Sequence, residues 1–240
     1  MSSRRIGLLQ AGYVNVDVAG AHGDYPELFA GLLRTGGLDA DLVTYDLQED
    51  GAPTDLGGHD GWIISGSISS AYDDEPWIRD LEDLCRTLLD RDEPVVGICF
   101  GHQVLAQALG GRVAKADAGW GVGVHEYSLT GPVPAWVGTS PPSPVRMVAS
   151  HQDQVVELPD GAVRFLTSPF CPNAGYTIGS GAMTIQAHPE FSTEVSAELL
   201  ALRRPILGDD LADAAAATLP AGTDNPTVAH WITAFLSGER

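Results

Sequence analysis

The segment Gly97-Ile98-Cys99-Phe100-Gly101 sets a cysteine between two glycines, each two residues away, directly after the apolar run from Pro94 to Ile98. Small residues at those positions let a chain turn sharply from a strand into a helix and lift the intervening side chain clear of its own backbone, so Cys99 reads as a nucleophile on an elbow. The same five residues also suit a buried strand cysteine before a glycine-rich turn, since free thiols are commonly buried. Far downstream, Ala182 to Phe191 (AMTIQAHPEF) ends a second apolar run in His188-Pro189-Glu190. Proline keeps the residue before it extended, and extended residues two apart project to one side. Glu190 is thereby placed to orient His188 and to stabilise charge on it, as the third member of a triad does. An imidazolium beside a thiol favours the thiolate, the form that attacks a carbonyl carbon. A lone histidine would read as structural; the carboxylate two residues on and the elbow cysteine favour a base.

Elements able to carry these groups are visible along the chain. Apolar runs at Ile6 to Leu9, Asp41 to Tyr45, Gly61 to Ile64 and Val95 to Cys99 alternate with helical patterns at Pro26 to Leu33, Pro76 to Leu89 and Gln103 to Leu109. Such alternation predicts an α/β fold with a mostly parallel central sheet flanked by helices. Ligands of such sheets bind at the carboxyl ends of the strands, where both motifs lie. Apolar residues at 77, 78, 81, 84, 85, 88 and 89 form a stripe of helical period, which assigns Cys85 to the core. Gly121 to Leu129 and Val145 to Ala149 read as further strands. The five prolines from Pro132 to Pro144 exclude a helix or a central strand between them and predict a surface loop. The tail from about Ala197 to Arg240 reads as helical pieces, with residues 212–217 and Val228 to Leu236 as two of them. Asp73 or Asp74 is expected to cap the helix that follows.

Composition bounds the function. A chain of 240 residues with 44% hydrophobic content suits one domain over residues 1–240. Only 13 basic residues face 32 acidic ones, a net charge of −19, and no basic block is longer than a pair, which argues against nucleic acid or an anionic membrane as partner. The apolar stretch Ile6 to Leu9 is shorter than the ~7–15 residues of a secretory signal core, and no segment reaches the ~18 apolar residues of a membrane span. Three cysteines without metal-type spacing fit a reducing, cytoplasmic setting and no metal site.

GICFGHQ together with QAHPEF resembles the class I (triad) glutamine amidotransferase family, and within it the GMP-synthase-like glutaminase branch that also includes stand-alone γ-glutamyl peptidases. WIISGSISSAYDDEPWI (Trp62 to Ile78), SHQDQVVELPDGA (Ser150 to Ala162) and FLTSPFCPNAGY (Phe165 to Tyr176) fall in the family's order, so the resemblance covers roughly residues 4 to 200. It implies a flavodoxin-like three-layer fold. It also implies hydrolysis of a γ-glutamyl amide bond by Cys99, His188 and Glu190 through a γ-glutamyl thioester, with no cofactor. Amide hydrolysis needs donors aimed at the oxygen that becomes negative. The resemblance assigns these to backbone N–H groups of the Gly66-Ser67 loop and of Phe100. Many members carry Gly-Gly-Pro where this chain has Gly66-Ser67-Ile68; Ser67 restricts rotation of the loop and Ile68 supplies an N–H that proline lacks. The resemblance further places Gln103, Ser150, His151 and Asp153 around the glutamyl group. His102 reads as structural, and Trp120-Gly121 as either a pocket wall or core.

What leaves the glutamyl group stays open. A glutaminase subunit would pass ammonia to a synthase partner, and no P-loop for a synthase activity occurs in these residues. A free-standing hydrolase would release the amine of a γ-glutamyl peptide or conjugate. A non-catalytic regulatory module would be expected to have lost triad residues, which are all present. Related cysteine-elbow proteins that keep an acidic residue near the first strand lack a Q-x-H-P-E segment, which this chain has.

Overall fold

The computed structural model describes residues 3–238; the two residues at each terminus, including the end of the helical tail expected from sequence, lie outside the described residues. Strand β1 (Arg4–Gln10) is followed by helices α1 (Val16–His22) and α2 (Tyr25–Thr35), then by β2 (Ala40–Asp46) and β3 (Gly61–Ile64) with no helix between them, then by α3 (Pro76–Asp90) and β4 (Val95–Ile98). Then come α4 (Phe100–Ala108), β5 (Arg112–Lys115), β6 (Gly121–Leu129), β7 (Val145–His151), β8 (Asp153–Glu157), β9 (Ala162–Thr167), β10 (Gly175–Ile178) and β11 (Ala182–Ile185). The chain ends in α5 (Thr193–Leu207), α6 (Asp209–Ala216) and α7 (Asn225–Leu236).

Nine strands form one sheet in the order β2-β1-β3-β4-β11-β10-β9-β6-β7, while β5 pairs with β8 separately. The sheet is mixed. From β2 to β11 every pairing is parallel; from β11 to β7 every pairing is antiparallel. The change has a local cause, because beyond α4 no helix intervenes to carry the chain back across the sheet, and antiparallel partners need only short connections. The turn at 179–181 between β10 and β11 is such a connection.

Alternation along the central strands feeds two apolar layers. Ile6, Leu8, Ile63, Val96 and Ile98 face Phe29, Leu33 and the buried side of α7. Leu9, Trp62, Ile64 and Val95 face α3 and α4 through Leu81, Cys85 and Leu105. Cys85 is fully buried on the expected stripe, and burial pushes its thiol up to about 12.

The structure departs from the sequence reading in identifiable places. Helix α4 starts at Phe100 rather than Gln103, and α6 starts at Asp209 rather than residue 212. Helix α5 runs through Pro205. Asp73 and Asp74 do not cap α3. The cap position is Glu75; the Asp73 carboxylate accepts from the Ser70 N–H at 2.8 Å, and Asp74 pairs with Arg79. The proline-rich segment is not wholly at the surface, because Trp136, in a 3-10 turn at Ala135–Val137, is buried against Phe165, Trp231 and Phe235. Short β5, β8, β9 and β10 and the seven-residue α1 were outside the periodic patterns altogether.

Candidate active site

The elbow at Cys99 depends on its two glycines. A Cβ on Gly97 would lie 2.6 Å from the Gly101 carbonyl oxygen, and one on Gly101 would lie 2.4 Å from the Ile64 carbonyl oxygen, distances no side chain tolerates. Between them Cys99 has φ 52° and ψ −98°, outside the ordinary range of an L residue. Its N–H donates to the Ile185 carbonyl of β11 at 2.9 Å, and the Gly101 N–H donates to the Ser65 carbonyl after β3 at 3.1 Å. The turn is thus bolted to the strands on both sides.

Strand β11 ends three residues before His188. The His188 N–H donates to the Val148 carbonyl of β7 at 2.8 Å, and Nδ1 lies 2.7 Å from Glu190 Oε1 with both side chains almost fully buried. Phe191 stacks flat on the imidazole at 4.3 Å between ring centroids, fixing its plane. Burial alone would push the imidazole down. A thiolate at Cys99 and the Glu190 carboxylate, together with hydrogen bonds to both, outweigh it and hold His188 up at about 10. Sulfur and imidazole, which the sequence offered as distant candidates, thus line one cavity, with the Glu190 carboxylate directly behind the imidazole. The fully buried Gln186 adds a contact that sequence reasoning did not single out, its Nε2 lying 3.8 Å from Cys99 Sγ. Its position in the Q-x-H-P-E segment was the available signal.

Beside the sulfur lies the loop after β3. Ser65 Oγ accepts from the Ala11 N–H at 2.9 Å and donates to the Gly66 carbonyl at 3.0 Å. A trans peptide points its C=O and N–H in opposite directions, so this anchor turns the Ser67 N–H away from β1. Among the described residues no protein acceptor takes the N–H of Gly66, Ser67 or Phe100. A Cβ on Gly66 would meet the Tyr25 hydroxyl at 2.4 Å and His188 Cε1 at 3.0 Å, so the glycine leaves room for both side chains where they stand. Ser67 Oγ accepts from the Ser69 N–H at 3.2 Å, and Ile68 is 89% exposed.

Two cavities meet at Cys99. One, of about 350 Å³, is lined by Gln103, Ser150, His151 and Asp153, the four residues expected around a glutamyl group, together with Lys115 and Trp120. Gln103 Nε2 donates to the Asp153 carbonyl at 2.9 Å. The Asp153 carboxylate accepts from Ser70 Oγ at 2.6 Å and from the Tyr72 hydroxyl at 3.1 Å. His151 is held neutral, its imidazole pushed down to about 3 by burial and then by the charge of His188, so it does not compete as a base. His102, off the cavity, contacts Thr184 Oγ1 at 3.0 Å and is also lowered to about 3 by burial, as befits a structural histidine. Trp120 lines the cavity, whereas Gly121 packs under Phe170. The second cavity, of about 400 Å³, contains His188, Tyr25, Tyr13, Asn15 and Phe191. Arg203 of α5 lines both and was not singled out in the sequence; an arginine inside a helical tail carries no local signal. Among the described residues, no group of three or more His, Cys, Asp or Glu side chains is arranged to hold a metal ion, and no helix is long and apolar enough to cross a membrane.

The chain matches known proteins over most of its length. The family model for glutamine amidotransferase class-I matches residues 23–203. A γ-glutamyl peptidase of Arabidopsis thaliana (γ-glutamyl peptidase 5) is 32% identical over 221 residues, covering 90% of this chain and 88% of that protein. A glutamine-hydrolysing GMP synthase subunit of Natronomonas pharaonis is 33% identical over 193 residues, covering 79% of this chain and 95% of the other. The crystal structure of a glutamine amidotransferase from Thermotoga maritima superposes with a TM-score of 0.76 at 19% identity, covering 99% of this chain and all of that one, which supports the α/β fold with its mixed, helix-flanked sheet. With three quarters of its length matched by one family model, this chain belongs to the class I glutamine amidotransferase family.

Proposed function

We propose that the protein hydrolyses γ-glutamyl amide bonds with Cys99 as nucleophile, His188 as proton carrier and Glu190 as its orienting partner. The observation that carries this reading is that a strained elbow cysteine and an imidazole line one cavity, the imidazole itself locked by a 2.7 Å carboxylate contact and a stacked ring. The thiolate attacks the γ-carbonyl carbon and forms a C–S bond; the C–N bond breaks as the amine nitrogen takes the His188 proton. Acylation removes the thiolate charge that held His188 protonated, so burial lowers its affinity for a proton, and it becomes a base. Water then gives a proton to His188 and its oxygen to the acyl carbon, the C–S bond breaks, and glutamate leaves. The free N–H groups of Ser67 and Phe100 serve as donors to the oxyanion, with Gly66 shaping the approach. Gln103, Ser150, His151 and Asp153 form the side that receives the glutamyl group.

The relatives named as peptidases favour a free-standing hydrolase. A second reading, a glutaminase subunit covered by a synthase, is favoured by apolar side chains at the mouth of the site, where Ile68 and Ile206 are 89% and 73% exposed. A panel of glutamine and γ-glutamyl dipeptides, followed for glutamate and amine together, tests both. The expected result is stoichiometric glutamate and amine from the protein alone, lost by on the order of 10³-fold or more in Cys99→Ala, with a glutamyl adduct on Cys99 after acid quench. Turnover that survives Cys99→Ala would falsify the nucleophile assignment. Turnover of glutamine only in the presence of a partner protein would favour the second reading.

A further inference from the structure

We infer that the 400 Å³ cavity on the His188 side is a leaving-group site for an amine bearing a carboxylate, and that Arg203 is the residue that reads this carboxylate. The inference rests on the γ-glutamyl reading above and names the substrate class within it: γ-glutamyl amino acids and peptides with a free carboxyl end on the departing part.

The direction of the reaction assigns the cavities. The departing nitrogen takes its proton from His188, so the leaving group lies on the side of Cys99 where His188 lines the wall, and His188 lines only this cavity. Ammonia needs roughly the 30 Å³ that a water molecule occupies in the liquid. A space more than ten times larger lies in the range of cavities built for organic ligands.

Its charge is more telling than its size. The chain carries 32 acidic residues and a net charge of −19, which disfavours anions at long range. Yet no Asp or Glu lines this cavity, and apart from His188 its one cation is Arg203. Most arginines in such an acidic chain find carboxylates, as the adjacent Arg204 does with Asp209 and Asp213. Arg203 has no carboxylate partner among the described residues. It is held by a hydrogen bond from Nη1 to Ser150 Oγ and by its position 5.8 Å from the centre of the Trp120 ring. A guanidinium stacked on an aromatic face and braced on one nitrogen keeps further donors in a fixed fork, the geometry that binds a carboxylate through two bonds. The glutamyl side has its own cation in Lys115, which lines only that cavity. Arg203 borders both cavities, and with Lys115 on the glutamyl side it is the one cation besides His188 open to the departing group. The Tyr13, Val14 and Phe191 walls fit an apolar side chain on the same amino acid.

The test compares γ-glutamyl-leucine, γ-glutamyl-leucinamide and glutamine as substrates of the full chain. The expected result is a kcat/KM for the free acid about tenfold or more above that for the amide. In Arg203→Gln that ratio should collapse to within about threefold of one, with Arg203→Lys intermediate. A wild-type ratio near one would overturn the inference even if the variants failed to fold. So would an equal fall on acid and amide in Arg203→Gln, since it would place the arginine on the glutamyl side. Absence of Cys99-dependent cleavage of all three would bring down the γ-glutamyl reading itself, whereas cleavage without discrimination brings down only the leaving-group assignment.

Discussion

The two cavities that meet at Cys99 are of similar size, about 350 and 400 Å³, and share Arg203, but their remaining walls differ in charge. The glutamyl side is a meeting of strand ends and two helices, α4 and α5, with Asp153 and Lys115 facing a common space and Gln103 tied to the Asp153 backbone. It offers both signs of charge within one pocket, which suits a zwitterionic α-carbon. The opposite side is built from the loops after β1 and β3 and from α2 and α5, with neutral polar and aromatic walls and a single arginine besides the triad imidazole. Under the proposed function selectivity is divided, one side receiving what all substrates of the reaction share and the other what distinguishes them.

The largest effect should come from breaking the shared side. Asp153→Ala removes a carboxylate that also anchors Ser70 and Tyr72, and so loosens the loop beside the sulfur. Initial-rate kinetics should show kcat/KM falling about 10- to 100-fold for glutamine and γ-glutamyl dipeptides alike, as expected for loss of hydrogen bonds to a charged group. A fall confined to one substrate would show that the two sides are not separate.

A pH profile addresses the group between them. His188 is raised, so its protonated form persists through neutrality and is lost as pH rises through about 10. The alkaline limb of kcat/KM should therefore lie near pH 10 rather than near the ordinary histidine value, while kcat, which includes deacylation by the neutral imidazole, should keep rising from acid pH into the neutral range. An alkaline limb of kcat/KM near pH 6.5 would contradict the coupling.

The smallest effect should come from the leaving-group side. Tyr25→Phe keeps the stacks with Phe29 and Phe191 and removes only the hydroxyl beside Gly66. Turnover of dipeptides should change by about two- to fivefold, and of glutamine less, consistent with one neutral hydrogen bond. Equal changes on both substrates would blur the division drawn above.

The proposed triad was legible in the chain because its chemistry is written in local patterns: two glycines around Cys99, and a proline that forces His188 and Glu190 to one side. The parallel half of the sheet was legible for the same reason, since Ile6 to Leu9 and Gly61 to Ile64 are short apolar runs followed by helical periods. The antiparallel half was less so. Ala162 to Thr167 in that half, and Arg112 to Lys115 in the separate β5–β8 pair, are half exposed and carry arginines or lysine, so they resemble loops until a partner strand is supplied. Trp136 was misplaced because prolines exclude regular structure without excluding burial; a 3-10 turn is enough to seat an indole in the core. Tyr25 and Arg203 reach the site only by the tertiary path of α2 and α5, and nothing adjacent to either in sequence distinguishes them from ordinary helix residues.

The backbone at Cys99, with φ 52° and ψ −98°, has one more implication. An L residue in such a conformation costs the native state about 1–3 kcal/mol, and a glycine would not bear it. The scaffold is therefore strained at the residue proposed as nucleophile, and the anchors from Ile185 and Ser65 act as clamps on a bent spring. Variants selected for heat resistance alone would drift toward losing their thiol.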